Sequence, residues 1–284
     1  MTAPRTLLFV PATDKKRVQK ASTLDVDVVI LDLEDSIPPA DKNKARGVLL
    51  EQVSSLKSAE IPVYVRVNAP FSLMQKDIHA ALEAGANGLI VPKIESAAML
   101  DSVAEFVAGN GAQSTRVMGL VETARGVARL PEIVGHKLLS LIAIGDEDLA
   151  TDLGVDPASE TIVAVKTALV PLAVANGVLP IGTAAKLSDF GDRNAFEEGC
   201  RRARAWGMCG TLCIHPVQVE IAQRIYAPTQ QEIEWALTIV AASEASSGKG
   251  ALGLDGQMID APILARAQRL LATNPEKVVR VKEP

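Results

Sequence analysis

Eight short runs of apolar, largely β-branched residues recur along the chain, and a longer stretch with helical spacing follows each. They are Thr6 to Val10, Val26 to Leu33, Val63 to Val67, Gly88 to Val91, Val117 to Val121, Leu141 to Ile144, Val178 to Ile181 and Thr211 to Ile214. Their ends fall about 30 residues apart, the length of a strand, a helix and two loops. Val28-Val29-Ile30-Leu31 is continuous rather than alternating, as suits a strand covered on both faces in a parallel sheet. The rhythm predicts an α/β chain of repeated βα units. Ala84-Gly85-Ala86, Asn176-Gly177 and Trp206-Gly207 stand where helices should stop, since a left-handed cap favours Gly.

A doubly wound open sheet could share this rhythm, but it would carry a Gly-rich phosphate loop after its first strand, where Pro11-Ala12-Thr13-Asp14 stands instead. The expectation is a (β/α)8 TIM barrel over residues 1–227, which a chain of 284 residues accommodates as one domain. Pro228 to Ala245 reads as one further helix. The polar link Ser246-Ser247-Gly248-Lys249-Gly250 then leads to a last helix starting near Asp260. Residues 228–284 thus read as a C-terminal helical extension able to reach away from its own core.

With 29 Lys+Arg against 34 Asp+Glu and only 3% aromatic residues, the chain offers neither a basic stripe nor a stacking platform for nucleic acid. It contains no run approaching the roughly 20 apolar residues that span a bilayer. Leu7 to Val10 is too short for a signal-peptide core and Asp14-Lys15-Lys16-Arg17 follows, so the expected location is cytoplasmic. Three cysteines, Cys200, Cys209 and Cys213, suit reduced thiols. Cys209 and Cys213 find no second ligand pair with zinc-type spacing.

The strand ends collect the polar residues: Asp32, Glu34 and Asp35 on the second, Arg66 and Asn68 on the third, Lys93 and Glu95 on the fourth, Glu122 on the fifth, Asp146, Glu147 and Asp148 on the sixth, and His215 on the eighth. In a barrel that rim is where chemistry is done. Converging carboxylates without a cation repel one another, so something positive must sit among them. Glu122 and Asp148 follow adjacent strands and, with waters and substrate oxygens, make a reasonable octahedral site for Mg2+, or Mn2+ in its place. Against this, Glu122 could pair with Arg125, Asp148 could cap a helix, and Asp146 and Glu147 compete for the ligand role on spacing alone.

Arg66 ends an apolar strand and needs an anion, either Glu34, Asp35 or a substrate carboxylate or enolate; its planar fork favours the substrate. Lys93 divides between a site role and pairing with Glu95. A lone His at a strand end is more often structural than catalytic, which keeps His215 outside the catalytic set.

In order, Leu8-Phe9-Val10-Pro11-Ala12, Leu31-Asp32-Leu33-Glu34-Asp35-Ser36, Val65-Arg66-Val67-Asn68, Val91-Pro92-Lys93-Ile94-Glu95-Ser96, Val121-Glu122-Thr123-Ala124-Arg125-Gly126, Gly145-Asp146-Glu147-Asp148-Leu149, Cys213-Ile214-His215-Pro216 and Gly256-Gln257-Met258-Ile259-Asp260 resemble the citrate lyase β-subunit-like branch of the HpcH/HpaI aldolases, whose relatives include malyl-CoA and citramalyl-CoA lyases. The resemblance implies a barrel with Mg2+ on Glu122 and Asp148 and with Arg66 beside the reacting atoms. It also implies that Glu34 and Asp35 lie near the metal waters, and that Lys16 and Lys20 help hold a coenzyme A thioester. Asp260 matches an acid/base carboxylate delivered into a neighbouring subunit's site, within a homotrimer or hexamer.

The implied reaction cleaves or forms a 3-hydroxyacyl-CoA such as citramalyl-, malyl- or citryl-CoA, giving acetyl-CoA and a 2-oxo acid. A CoA-independent class II pyruvate aldolase and a citrate lyase β-type subunit active only within a complex are the alternatives. Two departures bear on acyl-chain and CoA contacts. Pro180-Ile181-Gly182 stands where many relatives have Pro-Ile-Asp, and Thr211 stands where many have Lys.

Overall fold

The computed structural model describes residues 3–245, 252–254 and 257–273. Eight strands, β1 (Thr6–Pro11), β2 (Val28–Asp32), β3 (Val63–Arg66), β4 (Gly88–Val91), β5 (Arg116–Val121), β6 (Leu139–Ile144), β7 (Leu179–Ile181) and β8 (Thr211–Cys213), form one parallel sheet in the order β7-β6-β5-β4-β3-β2-β1-β8. A parallel bridge from Ile181 to Gly210 closes it, with Gly182 N–H donating to Gly210 O at 2.8 Å and Cys209 N–H to Pro180 O at 2.9 Å. The result is a TIM barrel, as expected. All eight strands fall on the apolar runs, trimmed or extended by one or two residues. Gly85, Gly177 and Gly207 take positive φ of 76°, 70° and 107° at the helix stops.

Period-two alternation sorts the strand side chains. Leu7, Val28, Ile30, Tyr64, Ile90, Met118, Leu120, Leu141, Ala143, Ile181 and Leu212 form one buried cluster without helical members, which is the barrel interior. Their neighbours, such as Val29, Leu31, Val65 and Leu89, face the other way and join helix residues in the main core. Continuing the alternation by one step, Val28-Ile30-Asp32, Tyr64-Arg66 and Met118-Leu120-Glu122 put charged groups on the inward face at the C-terminal mouth. The strand pattern that builds the core therefore also aims the site.

Pro4–Tyr226 form one compact unit, and the described residues from Ala227 onward, with Ala3, form a second. The second holds helices Gln230–Ala245 and Ala261–Ala272. An antiparallel pair, Leu252–Leu254 with Gln257–Ile259, adds strands to an extension expected to be helical only. Ala236, Ile239, Ile259 and Ala267 make its small core, and the Arg266 guanidinium lies 4.8 Å from the Trp235 ring centroid. The link at 246–250 lies outside the described residues. No helix among the described residues is long and apolar enough to cross a membrane.

Candidate active site at the barrel mouth

Asp32 and Arg66 are register partners at the ends of adjacent parallel strands, so their side chains leave the sheet side by side. Arg66 Nε donates to Asp32 Oδ1 at 2.7 Å and Nη2 to Asp32 Oδ2 at 2.8 Å. This is a two-pronged, charge-assisted pair. Asp32 also accepts from the N–H groups of Glu34 (2.9 Å) and Ser36 (3.0 Å). Burial pushes the Asp32 pKa up, but Arg66 and these donors outweigh it and hold the carboxyl below its ordinary value. The remaining nitrogen, Nη1, meets Asp35 Oδ2 at 3.0 Å and Glu34 Oε2 at 3.3 Å, and the guanidinium lies 4.7 Å from the Phe9 ring centroid. Of the chain's own anions the sequence offered Glu34 and Asp35 for Arg66; the principal one is Asp32, while Glu34 and Asp35 meet its remaining nitrogen.

Across the mouth the balance reverses. Glu122 is only 4% exposed. Its Oε2 accepts the Lys93 N–H at 2.8 Å. Burial, opposed by that bond and reinforced by Glu34 and Asp148, pushes the Glu122 pKa up to about 7. Gly145 faces it, and a Cβ there would lie 2.5 Å from Glu122 Cγ, so the sixth strand must end in glycine to admit the carboxylate. The Lys93 ammonium reaches Glu34 Oε1 at 3.4 Å and Asp148 Oδ2 at 3.5 Å. Glu34 is buried with a raised pKa, from burial first and then from Asp35 and Asp32, and its Oε2 has no hydrogen-bond partner. Glu34 and Asp148 thus share one ammonium, Glu122 takes the backbone N–H of the same residue, and Arg66 lies at their edge.

The three acids after the sixth strand part ways within the helix Asp146–Leu153. Asp146 is buried against the Lys166 ammonium, which also donates to Thr183 O at 2.6 Å. Glu147 accepts from Ser188 Oγ at 2.7 Å. Only Asp148 turns to the Lys93 side, and that helix has no side-chain cap. Glu95 pairs with Arg125 at 3.3 Å, which removes it as a partner for Lys93 and removes Arg125 as one for Glu122. His215 stacks on Phe190 at 4.7 Å and accepts the Val217 N–H at Nδ1, a structural role. Asn68 donates to Asp77 and to Leu33 O, tying loops together.

Lys16 and Lys20 are exposed on the helix Lys15–Ala21. Lys20 lines a groove of about 420 Å3 that includes Leu24, Pro216 and Val217; Lys16 does not line it. Asp260 caps the helix Ala261–Ala272, accepting the Ile263 N–H at 3.2 Å. The sequence placed Asp32 and Lys93 on the rim but did not pair Asp32 with Arg66 or Lys93 with Glu34 and Asp148, and it gave Gly145 no role of its own. The signal for Asp32 was available, because it and Arg66 each close a neighbouring strand.

A divalent cation can be weighed against this geometry. Among the described residues no group of three or more His, Cys, Asp or Glu makes a ready cage. A cage of that kind is what zinc demands and Mg2+ does without, since Mg2+ commonly takes one or two carboxylates and keeps waters or substrate oxygens. A buried carboxylate with a raised pKa, a glycine cradle and a buried Glu34 oxygen that has no hydrogen bond and meets the Arg66 guanidinium at 3.3 Å fit such an ion.

Residues 5–216 match the family described as HpcH/HpaI aldolase/citrate lyase. The chain is 29% identical to citrate lyase subunit beta of Leuconostoc mesenteroides subsp. cremoris, over 94% of this chain and 92% of that one. It is 30% identical to human mitochondrial citramalyl-CoA lyase, over 93% and 83%. Among solved structures it resembles the CitE protein of Mycobacterium tuberculosis in complex with magnesium, acetoacetate and coenzyme A, with TM-score 0.78, 31% identity and coverage of 96% and 98%.

Proposed function

The chain belongs to the HpcH/HpaI aldolase/citrate lyase family, and from that membership we propose that it is a Mg2+-dependent carbon–carbon lyase acting on a 3-hydroxyacyl-CoA. The candidates are citramalyl-, malyl- and citryl-CoA, split into or built from acetyl-CoA and a 2-oxo acid. The observation that carries this reading is the set of Glu34, Glu122 and Asp148 gathered at Lys93, two on its ammonium and Glu122 on its backbone N–H, beside Arg66. The magnesium, acetoacetate and coenzyme A held by the M. tuberculosis protein support it.

Glu122 and Asp148 would hold the ion, Mg2+ or Mn2+. When bound, it supplies Lewis-acid polarisation of the substrate oxygens. Arg66 provides fixed positive charge where the thioester enolate develops as the carbon–carbon bond breaks. Asp32 holds two of its nitrogens, leaving Nη1, with its longer contacts to Glu34 and exposed Asp35, as the donor that can turn to substrate. Glu34 is the carboxylate available to take the hydroxyl proton, because its raised pKa makes it a better base than an ordinary glutamate. Asp260 would pass a proton to the enolate carbon, or remove that proton in the condensing direction. It is assigned to a neighbouring subunit's site in a homotrimer or hexamer, and Lys16 and Lys20 are assigned to the coenzyme A.

Purified protein incubated with malyl-CoA and citramalyl-CoA should release acetyl-CoA and a 2-oxo acid with Mg2+ and stop with chelator. Turnover of free hydroxy acids alone would replace this reading by a CoA-independent aldolase, and activity only in a larger assembly by a complex-bound subunit. Asp260→Asn should lose about a hundredfold in turnover; full retention would remove the C-terminal acid from the mechanism.

A further inference from the structure

Lys93 is a neighbour of the carboxylates, and its backbone is unusual. At φ 52° it is one of two non-glycine residues among those described with positive φ. Glycine takes that conformation freely and a side chain only with strain. The left-handed turn points the Lys93 N–H at Glu122 Oε2. A glycine would make that bond as well, so the bond alone does not call for a lysine. What the side chain adds is an ammonium 3.4 Å from Glu34 Oε1 and 3.5 Å from Asp148 Oδ2.

The other cations nearby are committed. Arg66 is held by Asp32, Arg125 by Glu95 and Lys166 by Asp146. Lys93, whose side chain is 36% exposed, has solvent to turn into. We propose that Lys93 is a built-in competitor for the divalent cation: its ammonium pairs with Asp148, one of the two carboxylates assigned to the ion, and with Glu34 beside them, so the lysine sets how tightly the protein holds metal. This rests on the metal reading given under Proposed function.

Mg2+ titration of the metal-free protein by calorimetry at low ionic strength tests it, with no substrate present. Lys93→Gln keeps the backbone bond to Glu122 and removes the charge, and should tighten Mg2+ binding about tenfold. Lys93→Gly does the same while relieving the left-handed strain, and covers the case in which the glutamine variant folds poorly. Lys93→Arg keeps the charge and should bind Mg2+ no tighter than the parent. In chelator, Lys93→Gln should melt below the parent, and saturating Mg2+ should close that gap, whereas a purely structural role would leave the gap in place. If the Gln and Gly variants bind Mg2+ no tighter than the parent, or Lys93→Arg tightens as much as they do, the competitor role is overturned. If the parent itself binds no Mg2+, the metal reading falls and this inference falls with it.

Discussion

Two ionic clusters share the mouth of this barrel and are built from the same kinds of side chain, yet their stoichiometry differs. On the side of β2 and β3, one carboxylate meets a guanidinium at two points and two backbone N–H groups besides, and its pKa is lowered. On the side of β5 and β6, Asp148 shares one ammonium with Glu34, at 3.5 and 3.4 Å, Glu122 accepts the backbone N–H of the same lysine, and the Glu122 pKa rises to about 7. The first cluster is saturated and holds a shape. The second has acceptors to spare and is suited to take a cation. Counting donors per carboxylate, rather than acids, separates a structural pair from a binding site.

Substitutions can break that contrast from either side. Glu122→Gln should remove the polarising ion's main anchor, worth several kcal/mol of transition-state stabilisation, and lower turnover of the thioester roughly a thousandfold. Because it deletes a buried carboxylate whose ionised form burial penalises, the folded protein should be no less stable to urea. Asp32→Asn should do the reverse. It leaves a buried guanidinium short of its partner and should cost about 3 kcal/mol in urea unfolding, while Mg2+ affinity changes far less than in Glu122→Gln.

Acidity gives a smaller and more selective test. Asp32, with a lowered pKa, contributes stability that is present above its unfolded value of 3.8 and is lost as pH falls through its lower folded value. Glu122, with a raised pKa, costs stability when ionised, and that cost is relieved as pH falls from about 7 towards 4.5. Its protonation also competes with a cation, so the Mg2+ dissociation constant should weaken by up to about tenfold per pH unit below that point; a flat profile between pH 5 and 7 would count against Glu122 as a ligand. Least affected should be Glu95→Gln, which breaks an exposed pair with Arg125 and should shift stability by no more than about 0.5 kcal/mol.

The fold was legible because its signal is local. A strand covered on both faces must be continuously apolar, and a helix that stops on a left-handed residue wants glycine, so both leave marks at fixed positions. Barrel closure was legible from the count of units and the missing Gly-rich phosphate loop rather than from the closing strands, since β7 and β8 join through the bridge from Ile181 to Gly210. The charged rim was legible as a set of residues and not as a set of pairs. Lys93 lies two residues from Glu95 in sequence, but a left-handed backbone turns it to Glu34 and Asp148, which arrive from other strands. Asp146, Glu147 and Asp148 are equivalent by spacing, and helical geometry sends them to Lys166, Ser188 and Lys93 in turn. For Arg66 the sequence weighed Glu34, Asp35 and a substrate anion but not Asp32, which stands on the same rim and which strand register sets beside the arginine.

The central claim is that Glu122 and Asp148 bind one divalent ion. It is tested most directly by titrating Mn2+ into the chelator-treated chain at about pH 8, above the Glu122 pKa, and following bound ion by electron paramagnetic resonance. The account predicts one Mn2+ bound per chain, displaced by Mg2+ and lost when Glu122→Gln and Asp148→Asn are combined. Binding that survives both substitutions with unchanged affinity, or no binding to the parent chain, would contradict it.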